Sequence, residues 1–151
     1  MSQPQPAPKF RKDYTPPDFL IDRVDLDFEL GEEQTVVRSQ LALRRNPKAR
    51  DRQAPLRLNG EKLELLELKL DGAPCPKDRF QVLEEGLQVS GLPDACTLET
   101  AVRVRPRENT ELSGLYTSSG NFCTQCESEG FRRITYFLDR PDVMSVYTTR
   151  I

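Results

Sequence analysis

Histidine is absent from the sequence, which has 151 residues and four cysteines. Its absence excludes Ser-His and Cys-His nucleophile pairs, mixed Cys/His zinc sites and histidine acid–base chemistry within the chain. Catalysis by this chain alone would therefore need carboxylates or a thiol.

Long apolar runs are also missing. No segment approaches the roughly 20 apolar residues that span a bilayer, and the start of the chain lacks the apolar core of a signal peptide. We therefore expect a cytoplasmic protein with no membrane partner. The net charge is −2, with 22 basic and 24 acidic residues, which argues against general nucleic-acid binding.

The four cysteines are few and oddly spaced for the disulfide framework of a secreted protein, so we expect reduced thiols. Cys75 and Cys96 are predicted to be small residues of the core or its rim. Cys123 and Cys126 have the C-x-x-C spacing that can hold a metal or form a redox disulfide. A structural zinc site needs two further ligands, however, and there is no second C-x-x-C pair. We expect no metal and no cofactor in this chain.

Alternation of apolar and acidic residues predicts a half-buried strand at 21–30 with a solvated acidic side. A turn at 31–32 leads to the returning strand of a hairpin at 37–43. Residues 1–12 carry several prolines among polar neighbours and are expected to form a flexible tail. The predicted domain therefore covers residues 13–151.

Further strands, and no convincing helix, are predicted up to Pro106. In residues 63–70 the apolar alternation slips at Leu65 and Leu66, which a β-bulge would absorb. A helix is the competing interpretation, but Asp71-Gly72 ends the run at hairpin distance. The predicted fold is all-β and largely antiparallel, either a β-sandwich or a curved, saddle-like sheet. The other predicted strands lie at 56–59, 80–82, 87–89 and 96–104.

Residues 112–142 are turn-rich and dense in cysteine, glutamine, acidic, arginine and aromatic residues, which is typical of a functional loop on a rigid scaffold. In an extended segment, Gln125 and Glu127 would project to the same side. A carboxylate and an amide oxygen together suit a ligand ammonium group. Alternatively, the segment is a connection pinned by ion pairs and packed by apolar side chains. The residues of that alternative are Arg132, Arg133, Asp139, Arg140 and Asp142 for the ion pairs, and Phe131, Ile134, Tyr136 and Phe137 for the packing.

Three runs of the sequence carry a resemblance to a known family. They are LSGLYTSSGNFCTQCESEGFRRITYFLDRPDVMSVYTT at 112–149, KFRKDYTPPDFLIDRVDLDFEL at 9–30 and APLRLNGEKLELLELKLDG at 54–72. Together they resemble the N-terminal domain of the bacterial aminopeptidase N family, zinc aminopeptidases whose catalytic helix carries H-E-x-x-H. The resemblance implies a saddle-shaped β-domain that lies against a catalytic domain beyond residue 151 and forms one wall of its active site.

The resemblance also implies roles for two residues. In the family, the Gln and Glu of the T-Q-C-E segment reach the cleft, where the Glu binds the free α-amino group of the peptide substrate. By position these residues are Gln125 and Glu127. The zinc-binding H-E-x-x-H, its distant Glu ligand, the G-x-M-E-N motif and the transition-state tyrosine do not occur within these residues. Zinc and the catalytic residues are therefore expected only in the full-length enzyme.

Residues 143–151 begin a β-rich run that stops without a turn or cap, so we expect a domain cut before its last strands. An unpaired edge and an exposed face around Phe122, Phe131 and Phe137 would then favour self-association. Our hypothesis is a substrate-anchoring N-terminal domain of a zinc aminopeptidase, inactive alone. The alternative is a free-standing β-sandwich that binds a protein or ligand through its 112–142 surface.

Overall fold

A computed structural model describes residues 10–151 and gives the all-β fold that the sequence predicts. Most of the predicted tail, residues 1–9, lies outside the described residues. The strands are β1 Phe19–Glu29, β2 Thr35–Arg45, β3 Leu56–Asn59, β4 Glu64–Leu70, β5 Ala73–Pro74, β6 Phe80–Leu83, β7 Gly86–Val89, β8 Ala95–Val104, β9 Gly114–Ser118, β10 Asn121–Gln125 and β11 Val146–Arg150. Short 3-10 turns occupy Arg11–Asp13, Lys77–Arg79, Pro106–Glu108 and Phe131–Arg133.

A six-stranded sheet in the order β11-β1-β2-β8-β4-β5 forms the body of the molecule. The predicted hairpin of β1 and β2 is confirmed, and only β11 runs parallel to its neighbour among the described strands. Leu41 at the centre of β2 pairs with Val24 on one side and Leu98 on the other, and all three side chains are fully buried. The apolar alternation of these strands therefore builds the core.

Two register shifts bend the six-stranded sheet. The shift between Leu65 and Glu67 confirms the bulge predicted in β4, and a second shift between Ile21 and Arg23 in β1 was not predicted. An extra residue in one strand of a pair increases the local twist. Both bulges therefore curve the strands that carry them.

A three-stranded sheet in the order β3-β7-β6 covers part of the same core. The predicted hairpin of β6 and β7 is confirmed. β3 pairs with β7 and places Leu56 and Leu58 in the apolar core. Among residues 10–151 there is no helix of the length and apolarity needed to cross a bilayer.

Candidate functional site

A hairpin that the sequence analysis missed carries Gln125. β9 and β10 pair antiparallel around Ser119 and Gly120, whose φ angles are 51° and 79°. Positive φ at both turn positions belongs to the two-residue turn whose twist matches the flanking strands, so the Ser-Gly pair was the available signal. Gln125 is the last residue of β10 and pairs with Gly114. The hairpin therefore fixes the backbone from which Gln125 projects.

Glu127 lies in the turn that follows this hairpin, whereas the sequence placed it with Gln125 on one extended segment. Both side chains are exposed. Gln125 Nε2 donates a hydrogen bond to the backbone carbonyl of Glu127, with an N···O distance of 3.5 Å. Within residues 10–151 the Glu127 carboxylate has no ion pair. An anionic group and an adjacent amide therefore face solvent together.

Gly130 holds this turn close to the hairpin. A Cβ atom added to Gly130 would lie 2.5 Å from the carbonyl oxygen of Gln125 and 2.9 Å from the Cα of Cys126. The Gly130 N–H also donates to the carbonyl of Cys126 at 2.8 Å. Since a side chain at residue 130 would collide with the backbone, glycine permits the tight return that leaves Glu127 on the exposed part of the turn.

Ion pairs anchor the segment after the turn, which confirms part of the structural interpretation. Arg132 Nε donates to Asp139 Oδ2 at 2.9 Å, and the Arg132 backbone N–H donates to the same oxygen at 3.2 Å. Arg140 donates to Asp142 and to the backbone carbonyl of Thr15. Hydrogen bonds from Arg140 hold the pKa of the Asp142 carboxyl below its ordinary value. The segment is therefore held both by its own ion pairs and by a hydrogen bond to Thr15, which precedes β1.

The acidic partners of Arg133 were not identified from the sequence. Arg133 Nε donates to Glu61 Oε2 at 3.0 Å, and its Nη1 pairs with Glu111. Glu111 also pairs with Lys62, and hydrogen bonds from Lys62 and Arg133 hold the pKa of the Glu111 carboxyl below its ordinary value. Glu61 precedes Arg133 by 72 positions, so no local pattern signals their contact.

Aromatic side chains also pack the segment against the core. The rings of Phe131 and Phe137 meet edge to face with centroids 5.0 Å apart, and Tyr147 packs against both. The packing role of Phe137 in the structural interpretation is confirmed, but the exposed face expected around Phe131 and Phe137 is wrong. Phe137 is 4% exposed, and Phe131 is partly buried against the core. The backbone of Phe137 pairs with Asn59, which draws the ring into the core. Phe122 is 38% exposed, in agreement with the sequence analysis.

All four cysteines are free thiols. Cys75 and Cys96 are buried, as predicted, and burial raises the pKa of Cys96 to about 11. Cys123 and Cys126 are partly exposed, and burial raises the pKa of Cys126. The described residues contain no group of three His, Cys, Asp or Glu side chains that could hold a metal ion. Their donor set therefore does not fit a zinc site.

Curated relatives match nearly the whole chain. Aminopeptidase N of Caulobacter vibrioides is 46% identical over 139 residues, which cover 92% of this chain. Aminopeptidase N of Escherichia coli is 44% identical over 147 residues and 97% of the chain, and that of Haemophilus influenzae is 39% identical over 146 residues and 95%. The chain spans 16% of each relative's length. Protein-family models give no match.

Solved structures share the fold. Aminopeptidase A of Legionella pneumophila, in complex with aspartic acid, has a TM-score of 0.87 and 29% identity over 93% of this chain and 17% of its own. Leukotriene A4 hydrolase of Saccharomyces cerevisiae has a TM-score of 0.70 and 18% identity, with 95% and 26% covered. The M1 zinc metallopeptidase of Deinococcus radiodurans has a TM-score of 0.71 and 17% identity, with 88% and 32% covered. The last two show a common fold alone. The resemblance seen in the sequence is confirmed.

Proposed function

We propose that this chain, a homologue of about one sixth of aminopeptidase N, is the N-terminal, substrate-anchoring domain of a zinc aminopeptidase. In this proposal Glu127 binds the α-ammonium group of the peptide and Gln125 assists it. The observation that carries the proposal is the exposed Glu127 carboxylate, which has no ion pair within the described residues and lies on a tightly held turn. The identity of 46% to a named aminopeptidase N supports it.

The chemistry of the two side chains suits a peptide N-terminus. A carboxylate attracts the charged amine and accepts its N–H groups in charge-assisted hydrogen bonds. Gln125 uses Nε2 to reach the Glu127 carbonyl, which leaves the amide oxygen to accept a further N–H. Holding the amine at one point fixes the position of the first peptide bond, so that cleavage counts from the terminus.

In the full-length enzyme, residues outside 10–151 would hold the zinc. The metal would supply an activated water for attack on the first peptide bond. Residues 10–151 hold no three-ligand group, so the part assigned to this chain is to bind and orient the peptide. The proposal further assigns the enzyme to peptide breakdown in the cytoplasm.

The test is Glu127→Gln in the full-length enzyme, measured with aminoacyl chromogenic substrates. The substitution keeps the shape and removes the charge, and losing a charge-assisted hydrogen bond costs about 1.5–3 kcal/mol. We expect kcat/KM to fall by roughly 10- to 150-fold. Glu84→Gln is the matched control, because Glu84 is an exposed carboxylate in the turn between β6 and β7. Equal kcat/KM for Glu127→Gln and the control would show that Glu127 does not bind the amine.

Self-association through β11 is a further part of the proposal. All five residues of β11 are exposed, and it forms one edge of the six-stranded sheet. It contains no proline and one charged residue, Arg150, so it lacks most of the features that protect sheet edges. The opposite edge, β5, has two residues and includes Pro74, which cannot donate to another strand. A second copy that pairs antiparallel through the same strand is the occupant we propose for the β11 edge.

A further inference from the structure

The turn that carries Glu127 rests on two neighbouring arginines. Arg132 and Arg133 are 15% and 17% exposed in their side chains, which is low for arginine. The Arg133 N–H donates to the Gly130 carbonyl at 3.1 Å, and the Gly130 N–H returns to Cys126. A continuous series of backbone contacts therefore connects the arginines to the turn.

Arg133 also lies directly beneath the hairpin. A Cβ atom added to Gly114 would be 2.5 Å from the Cβ of Arg133 and 3.4 Å from its carbonyl oxygen. Gly114 is the residue that pairs with Gln125, and its φ of 78° is a conformation that favours glycine. A displacement of Arg133 would therefore reach Gln125 through Gly114.

Glu61 connects the two arginines. Its Oε2 accepts the hydrogen bond from Arg133 Nε at 3.0 Å, and its Oε1 lies 3.9 Å from Arg132 Nη1. Its backbone N–H also donates to the carbonyl of Arg132 at 2.9 Å. One carboxylate thus lies between two adjacent guanidinium groups, and its position is fixed by a backbone hydrogen bond as well as by its side chain. Each arginine also has an acidic partner of its own, Asp139 for Arg132 and Glu111 for Arg133.

We propose that Glu61 is a positioning residue for Gln125 and Glu127. It sets the relative position of Arg132 and Arg133, which in turn fix the Gly130 turn and the start of the hairpin. This inference rests on the proposed function, because it assigns Glu61 to the same amine-binding site. Glu61 has no assigned contact with the substrate, so its effect would pass through the backbone that carries the two binding side chains.

Glu64 provides a matched control three residues away. It too is a carboxylate between two arginines, with distances of 2.7 Å to Arg103 and 3.1 Å to Arg105. Its side chain is 43% exposed, compared with 36% for Glu61. Its partners lie on and just after β8 rather than in the turn. Glu61→Gln and Glu64→Gln therefore remove the same charge from between two arginines, and the arginines beside Glu64 are the more exposed, at 30% and 44%.

The first measurement uses this chain itself. Hydrogen–deuterium exchange should show faster exchange of the Gly130 and Arg133 amides in Glu61→Gln and unchanged exchange there in Glu64→Gln. The reason is that these two amides close the turn on Cys126 and Gly130. Equal protection of both amides in wild type and Glu61→Gln would overturn the inference, and this outcome leaves the role of Glu127 intact.

The second measurement is a double-mutant cycle in the full-length enzyme. Glu61→Gln should lower kcat/KM by roughly 2- to 30-fold, the range for residues that act through others, while Glu64→Gln leaves it unchanged. Adding Glu127→Gln to Glu61→Gln should cost less than adding it to wild type, since the amine is already poorly held. Fully multiplicative losses would overturn the inference. A Glu127→Gln enzyme with wild-type kcat/KM would instead overturn the proposed function.

Discussion

The six-stranded sheet and the segment 126–145 are stabilised by different interactions. In the sheet, backbone ladders join neighbouring strands, and fully buried side chains such as Leu41 and Leu98 fill the core. The segment 126–145, all of which is described, contains no strand. It is tied down by arginine–carboxylate pairs and by the buried side chains of residues 134–138.

This difference separates the stability of the domain from the placement of its site. Burial of apolar surface is non-directional and sets the free energy of unfolding. Hydrogen bonds between a guanidinium and a carboxylate fix a geometry, and Arg132 and Arg133 make theirs where the surroundings exclude much of the solvent. The sheet therefore provides a rigid support, and the charged side chains anchor the segment that follows Glu127.

The largest effect that would sharpen this comparison is expected in the sheet. Leu41→Ala removes a fully buried side chain between two other buried strands, and such a cavity lowers the free energy of unfolding by about 2–5 kcal/mol. Urea denaturation of the chain would measure it. A loss below about 1 kcal/mol would contradict the view that the apolar core of the six-stranded sheet is the main source of stability.

A smaller effect is expected where the segment 126–145 packs against the loop between β3 and β4. A Cβ atom on Gly60 would lie 2.4 Å from the ring of Tyr136, which is 2% exposed. Gly60→Ala should therefore displace the ring and lower the free energy of unfolding by about 1–3 kcal/mol. Tyr136→Leu combined with Gly60→Ala should lose less than the sum of the two single losses, because the clash is relieved. Additive losses would show that Gly60 and Tyr136 are not coupled.

Acid should weaken the segment 126–145 before it weakens the sheet. Hydrogen bonds to basic groups lower the pKa of Asp142, chiefly from Arg140, and of Glu111, chiefly from Lys62. A folded-state pKa below the unfolded value contributes stability that is present above the unfolded pKa and is lost as the pH falls through the folded value. Below the ordinary values of 3.8 and 4.5, amides of 130–142 should therefore lose exchange protection first.

The control for acid sensitivity is Asp142→Asn. Because its side chain cannot titrate, the variant should lose part of the protection at neutral pH and show a weaker further loss on acidification. Hydrogen exchange of residues 37–43 in β2 provides the internal reference. Simultaneous loss of protection in both regions would contradict the separation of sheet and segment.

The smallest effect concerns the edge of the sheet. In an antiparallel pair of β11 strands centred on Thr148, Val146 lies opposite Arg150 of the second copy. Val146→Lys should then weaken association through like charges, and Val146→Glu should strengthen it. Light scattering at several concentrations would measure the difference. A wild-type chain that stays monomeric at high concentration would contradict the proposed contact.

Sequence patterns predicted the local features and missed the distant ones. The alternation in β1 and β2, the slip at Leu65-Leu66 and the turn at Asp71-Gly72 all act over a few residues, and each was confirmed. The parallel pairing of β11 with β1 has no short-range signal. Ion pairs between remote residues, such as Glu61 with Arg133, also leave no signal in the sequence, since any of the 24 acidic residues could be the partner of Arg133.

The candidate site was found by resemblance more than by pattern. A Gln and a Glu two residues apart are common, so their chemistry suggested an amine only weakly, and the longer T-Q-C-E run connected the pair to the N-terminus of a peptide. The exposed face expected around Phe137 was wrong because the burial of Phe137 depends on a backbone bridge to Asn59, and pairing between remote segments cannot be deduced from composition.

The pairing of β11 with β1 also has a consequence for the order of folding. The hydroxyl of Ser145 donates to the carbonyl of Ile21, which lies 124 residues earlier, and the parallel ladder begins just beyond it at Arg23 and Val146. Bringing β1 and β11 together closes a loop of this length, and the chain entropy is lost before the contacts between the strands can compensate for it. The β1–β2 hairpin can form as soon as residue 45 is made, whereas the outer edge of β1 stays unpaired on the ribosome until residues 146–150 have been synthesised. During that interval the nascent protein carries an open β1 edge, and this is the stage at which a chaperone would contribute most.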